Sequence, residues 1–257
     1  MSTSAERLKG TPRREFGGLG RTEVHEGELE RHPSNVRFVH WMVALTFTLA
    51  LLTGFAIYSA WLFHWIAPLF GGGPMTRLLH PWFALAFILF LFVEIKHWLS
   101  AMSWTDSDRK WMRQMKQYVS NEEKLSPEYV GFFNGGQKLY FWVTVYSGIL
   151  FLLTGIIMWF PEVFGRVLVA VSYVLHDIAA LAMLAGFILH VYLSTVFEPG
   201  TFRSMTRGTV TREWAWTHHP AWYKEATGRD PRHDYETASR ETASRGPAER
   251  GPAPPGA

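Results

Sequence analysis

Cysteine does not occur in this chain. Its absence removes disulfides, thiolate ligation of iron–sulfur clusters and thioether attachment of haem, so any redox centre held here must use nitrogen or oxygen ligands. Charge is scarce in places too: a mean hydropathy near zero conceals long apolar blocks set between polar ends. A bilayer core of about 30 Å is crossed by a helix of ~20 apolar residues, and four blocks meet that need, expected at residues 36–60, 78–99, 139–160 and 168–197. Positive charge is only slightly in excess, net +3. It stands in loops beside the apolar blocks, where orientation explains it, and no nucleic-acid partner is expected. No short apolar leader of the usual secretory form is expected either. The first apolar block begins after about 35 residues and is too long for a secretory signal, so insertion through the first helix is expected.

What is present is an all-α membrane protein. Residues 1–35 read as a polar N-terminal tail, residues 36–224 as a four-helix membrane domain with a polar loop at 100–138, and residues 225–257 as a disordered C-terminal tail rich in Pro, Gly, Ser and charge. Within the loop, Trp111, Met115 and Tyr118 recur at spacings of three and four, the pattern of a surface helix over 106–119 with one apolar side. Pro81 is expected in the first turn of the second span, where a missing N–H costs nothing. The loop between spans two and three carries Arg109, Lys110, Arg113, Lys116, Lys124 and Lys138, and both tails are basic, whereas the other two connections hold only Arg77 and Arg166. Both termini and the long loop are therefore expected in the cytoplasm, with the chain in the bacterial cytoplasmic (inner) membrane.

That topology sorts the histidines by depth. His40 near the start of span one and His190 near the end of span four lie toward the cytoplasm; His80, opening span two, and His176, early in span four, lie toward the outside. His176 and His190 are 14 positions apart, which returns them to within roughly 40° of one helix face and separates them by about 21 Å. An imidazole is a poor lipid-facing group, and polar residues inside such helices face a partner helix or a cofactor. A single histidine of this kind is commonly a hydrogen-bonded packing residue; packing gives no reason for four to match in depth across helices. The expectation is a four-transmembrane-helix bundle enclosing two b-type haems, His80 with His176 for the outer and His40 with His190 for the inner. Two imidazoles fill both axial positions, so such a haem carries electrons and leaves no open site for substrate.

Other residues leave alternatives open. Small residues at Gly54, Gly148, Gly155, Ala179, Ala180, Ala182, Ala185 and Gly186 suit either the approach of a flat macrocycle or close helix packing. His97 rivals the inner ligands but lies roughly 100° from the face of His80 and beside Lys96 at the water boundary. His64 falls in a loop and His218-His219 in a polar tail, where solvated histidines are ordinary. Residues 214–223, rich in Trp and Tyr, suit an interfacial anchor or a docking edge. Glu94, expected to pair with Lys96 or water, and Asp177 are candidate proton-path residues.

At these residues the chain resembles the cytochrome b gamma subunits of membrane-bound respiratory formate dehydrogenases, over residues 36–223. The matching set is His40-Trp41, the R-x-L-H-P from Arg77 to Pro81, the N-x-G-Q-K from Asn134 to Lys138, the T-G-x-I-x-W from Thr154 to Trp159, the two histidines of span four, and the W-x-x-x-H-H-P-x-W-Y from Trp214 to Tyr223. The resemblance implies that His40, His80, His176 and His190 hold two b haems, and that a quinone, menaquinone or ubiquinone, binds by the inner one at Asn134, Gly136, Gln137 and His190. It also implies an iron–sulfur beta subunit and a molybdenum or tungsten alpha subunit that oxidises formate, a task for which this chain has no motif, and it leaves room for a higher oligomer. The rival partners are a hydrogenase or thiosulfate reductase; the rival of another class is a haem-free membrane anchor or small transporter.

Overall fold

A computed structural model describes residues 24–25, 27–119 and 128–244. Four of its helices are long and apolar enough to cross a membrane: α1 (Ser34–Tyr58), α3 (Gly73–Trp98), α5 (Gly135–Trp159) and α6 (Arg166–Tyr192). The shorter α2 (Ala60–Ile66) and α4 (Asp106–Val119) stand in the connections. The described residues fall into two compact units. One contains Asn35–His97 and Tyr140–Leu189; the other contains described residues of Met1–Ser34, Trp98–Leu139 and His190–Ala257.

In the first unit the long helices are apolar on all sides, so one stripe packs inward and the rest suits lipid. The inward stripe joins Val39, Val43 and Phe47 of α1, Phe87 and Leu91 of α3 and Met183 of α6. Leu45, Leu89, Tyr146, Leu181 and Ile188 remain exposed. Gly148 belongs to packing: a Cβ there would stand 2.5 Å from Leu91 Cδ2. Hydroxyls inside the helices are satisfied by carbonyls one turn back, as in Thr46 to Met42 O at 2.6 Å and Thr144 to Tyr140 O at 2.9 Å.

The connection after α1 differs from expectation. Trp61 and Trp65, beyond the expected end of the first span at residue 60, belong to α2, capped by the Ser59 hydroxyl, so His64 lies in a helix and not in a loop. A 3-10 turn at Ala67–Phe70 follows, and Gly71 (φ 86°) and Gly72 (φ 93°) adopt the left-handed conformation that glycine allows without strain. α3 then begins at Gly73, earlier than hydropathy suggests, because the polar first turns need only helical geometry and not a lipid environment. Pro81 therefore lies well inside the helix.

The second unit organises segments that composition had marked as tails. β1 (Val24–His25) and β2 (Glu28–Glu30) form a hairpin through Gly27 (φ 92°), and β3 (Thr209–Thr211) pairs antiparallel to β2, with Leu29 opposite Val210. Arg203 and Thr209 both bind the Glu28 carboxylate, holding it below the usual carboxylate range. Short helices α7 (Thr201–Thr206), α8 (Arg212–His218) and α9 (Pro220–Thr227) complete it with α10 (Pro231–Ser244), which occupies part of the stretch expected to be disordered. Tyr223 ties α9 to α10 by donating to Asp234 at 2.5 Å. Residues 1–23 and 245–257, the rest of the expected tails, lie outside the described residues.

The aromatic run at 214–223 is neither an exposed anchor nor an edge. Trp222, Tyr223 and His219 are fully buried and Trp214 nearly so. Arg31 lies among them, its guanidinium 4.5–4.8 Å from the ring centres of Phe132, Trp214 and Trp222, and donates to Phe132 O at 2.6 Å. His219 Nδ1 donates to Gly131 O at 2.7 Å, which leaves Nε2 to accept from Arg31 at 3.2 Å. Burial, with the adjacent Arg31 charge, holds the His219 pKa well below its ordinary value, so the imidazole is neutral.

Lys138 supplies a second tie. Its Nζ donates to Asp108 Oδ2 at 2.7 Å and to Ser103 O at 3.0 Å, and both side chains of the pair are buried. Lys138→Met strands a buried carboxylate and is expected to cost about 3–5 kcal/mol; adding Asp108→Asn should recover much of that, since the amide oxygen still serves the Thr105 N–H. Thermal unfolding of the solubilised single and double variants measures both.

Candidate functional site: a paired-histidine cavity

His80 of α3 and His176 of α6 come together in the first unit, their ring centres 6.3 Å apart with planes inclined 64°. Each ring is tied at Nδ1. His80 Nδ1 lies 3.1 Å from Ala50 O and 3.0 Å from Thr53 Oγ1. A carbonyl oxygen only accepts, so the proton is on Nδ1. His176 Nδ1 lies 2.8 Å from Thr154 Oγ1, whose own proton goes to Leu150 O at 2.5 Å, so this hydroxyl also accepts. In both imidazoles Nε2 thereby keeps the lone pair, the form a metal ligand requires.

Imidazole nitrogens bind first-row metals at about 2.0–2.1 Å, and ring centres 6.3 Å apart leave room for such a group between His80 and His176, the residues that would hold it. A cavity of about 500 Å3 opens beside both rings, with lining from all four long helices. It is apolar along most of its wall, with Arg77 and Asp177 among its polar members. This is the size and character of a cofactor pocket. Gly54 and Gly155 face it differently: a Cβ at Gly54 would press on His80 Cε1 at 3.2 Å, whereas a Cβ at Gly155 meets nothing within 4 Å. The choice between macrocycle approach and helix packing thus splits, with Gly54 and Gly155 at the cavity and Gly148 in packing.

Neither Thr53 nor Thr154 was expected to hold a histidine, although Thr154 opens the T-G-x-I-x-W stretch. The signal was present: Leu51-Leu52-Thr53-Gly54 recurs as Leu152-Leu153-Thr154-Gly155. In each copy the threonine anchors a histidine of the next long helix and the glycine leaves room at the cavity. Both threonines are buried, so each hydroxyl needs partners on both sides, and the helix carbonyl and the imidazole supply them.

The remaining candidates take other positions. His40 Nδ1 meets Glu94 Oε1 at 3.1 Å, so Glu94 pairs with a proposed ligand rather than with Lys96, whose ammonium lies over the Phe92 ring. His97 donates from Nδ1 to Val93 O at 2.8 Å, and its Nε2 is 3.5 Å from the Asn35 amide. Those bonds give His97 a local role. His190 stands in the last turn of α6 and belongs to the second unit, whereas His40 belongs to the first.

At the start of α5, the expected turn is a reciprocal cap. Asn134 N donates to Gln137 Oε1 at 3.0 Å and Gln137 N to Asn134 Oδ1 at 2.9 Å, the amide version of a capping box. A Cβ on Gly135 or Gly136 would stand 3.1 Å from the Trp111 ring, a tight approach. The apolar side of α4 thus packs on this helix start through Trp111.

Four membrane-length helices with an anchored imidazole pair on an apolar cavity define a b-type cytochrome. The chain belongs to the prokaryotic cytochrome b561 family, whose model matches residues 31–208. It is similar to the nitrate-inducible formate dehydrogenase cytochrome b556(Fdn) subunit of Escherichia coli K12, 30% identical over 207 residues, covering 78% of this chain and 92% of that protein. It is 31% identical over 199 residues to the formate dehydrogenase cytochrome b556(fdo) subunit of the same organism, covering 76% and 92%. The formate dehydrogenase cytochrome b556 subunit of Haemophilus influenzae is 29% identical over 199 residues, covering 76% and 82%. A b-type cytochrome implies haem b.

Gly155→Leu, which projects a side chain into the cavity, and Gly54→Val, which crowds His80, are each expected to lower the b-type absorbance per chain. Gly148→Ala should leave that absorbance unchanged, because it displaces only the end of Leu91; reduced-minus-oxidised spectra of the purified variants test the contrast.

Proposed function

We propose that this chain is the cytochrome b subunit of a membrane-bound formate dehydrogenase. In this reading it anchors the complex and passes electrons from an iron–sulfur subunit outside the bacterial cytoplasmic membrane, through two b haems, to a quinone near the cytoplasmic face. The observation that carries it is the His80–His176 pair with both Nδ1 atoms anchored, in a chain about 30% identical to formate dehydrogenase subunits. When bound, haem supplies one-electron transfer. His80 and His176 would hold the outer haem, with the Arg77 guanidinium on the same cavity wall as a partner for its carboxylates. The inner haem, held by His40 and His190, rests on their matched depth in the sequence and on the resemblance. The Glu94 contact favours Nδ1–H on His40, consistent with a ligating Nε2.

The quinone would bind by His190 and the start of α5. Asn134 and Gln137 already give their amide oxygens to the cap, so what they offer a quinone carbonyl is amide N–H. Gly136 would let the ring approach the backbone. Both termini and the 100–138 loop lie in the cytoplasm in this reading, so protons taken up on quinone reduction come from that side. Formate oxidation belongs to a molybdenum or tungsten alpha subunit, bound through an iron–sulfur beta subunit.

The test is isolation of the intact complex with its haem and chain content. A formate-oxidising chain and two b haems per cytochrome subunit are expected. His176→Ala should abolish one haem and leave the other. A hydrogenase or thiosulfate reductase chain as the partner overturns the formate assignment, and absence of b-type bands overturns electron transfer.

A further inference from the structure

The anchored histidines do not have equivalent partners. His80 and His176 direct Nδ1 to the threonine hydroxyls Thr53 and Thr154, at 3.0 and 2.8 Å, whereas His40 directs Nδ1 to a carboxyl oxygen of Glu94 at 3.1 Å. Only 18% of the His40 side chain and 8% of the Glu94 side chain are exposed, so solvent screens the interaction weakly. The two classes of partner differ in charge. A hydroxyl orients an imidazole and leaves it neutral; a carboxylate also draws the Nδ1 proton toward itself and increases electron density at Nε2.

We propose that Glu94 is a positioning residue that differentiates the two haem sites, lowering the reduction potential of the haem bound through His40 relative to what a neutral partner would allow. The inference rests on the reading of His40 as a haem ligand given above. Its physical basis is that a more electron-rich ligand and a nearby negative charge both favour the oxidised, more positive metal, and hydrogen bonding behind an axial ligand is one of the means by which a protein sets a haem potential. The threonines behind the other pair are neutral, and the charges at that cavity, Arg77 and Asp177, are of opposite sign. The chain thus sets its two centres apart by what stands behind the ligands, with histidine as the ligand throughout.

Redox titration of the intact complex, followed in the b-type absorption bands, tests this on wild type, Glu94→Gln, Glu94→Asp and Thr53→Val. Glutamine keeps an oxygen that accepts from His40 Nδ1–H and removes only the charge. In Glu94→Gln one component is expected to become easier to reduce by about tenfold, ~59 mV for a one-electron couple, with both haems retained and the other component unmoved. Glu94→Asp, which restores the charge, should return it toward wild type, and Thr53→Val should disturb the other component alone. Unchanged potentials in Glu94→Gln, equal shifts of both components, or loss of a haem from Glu94→Gln each overturn the role of Glu94. Failure of the underlying reading is separate: it shows as retention of both haems in His40→Ala, whatever Glu94→Gln does.

Discussion

A half-buried imidazole in an apolar helix bundle has two nitrogens to account for and few polar groups near it to do so. The site is built on how the first of these is settled. A threonine hydroxyl spends its own proton on the carbonyl one turn back in its helix and is left able only to accept, so it takes the imidazole Nδ1–H. That one bond orients the ring, selects its tautomer and reserves the Nε2 lone pair. Because the device occurs in both α1 and α5, it holds two rings from α3 and α6 with centres 6.3 Å apart. The hydroxyls thus fix how the two rings stand on the cavity that Gly54 and Gly155 also line.

The same accounting explains the second unit, where the polar groups are charged. Arg31 is buried among three aromatic rings, a position that requires its donors to be met; Phe132 O and a neutral His219 meet two of them. Gly131 O in turn fixes the tautomer of His219. Lys138 and Asp108 satisfy one another in the same way, and the Asn134–Gln137 cap closes the start of α5. Segments of polar composition therefore form a packed unit because a few aromatic side chains bring enough apolar surface to bury specific polar partners.

Most of the membrane architecture could be read from composition alone, since a span is defined by length and by the near absence of charge, both properties of consecutive residues. Its ends could not. Pro81 lies inside α3 and the aromatics after α1 form their own helix, because a helix continues past the lipid boundary wherever caps and backbone geometry allow. The candidate ligands were legible as rare polar residues in apolar runs. Thr53 and Thr154 were not, although the repeated Leu-Leu-Thr-Gly holds them, because hydroxyls that satisfy their own helix look alike in sequence whether or not a histidine also uses them.

By itself the sequence determined the number of membrane-length helices, because hydropathy is a local quantity. Tertiary structure alone decided that His80 and His176 face one cavity, that Glu94 stands behind His40 and not beside Lys96, and that His219 is buried rather than solvated. Those outcomes depend on which side chains distant segments bring within hydrogen-bond distance, and a buried polar group takes whichever partner packing delivers.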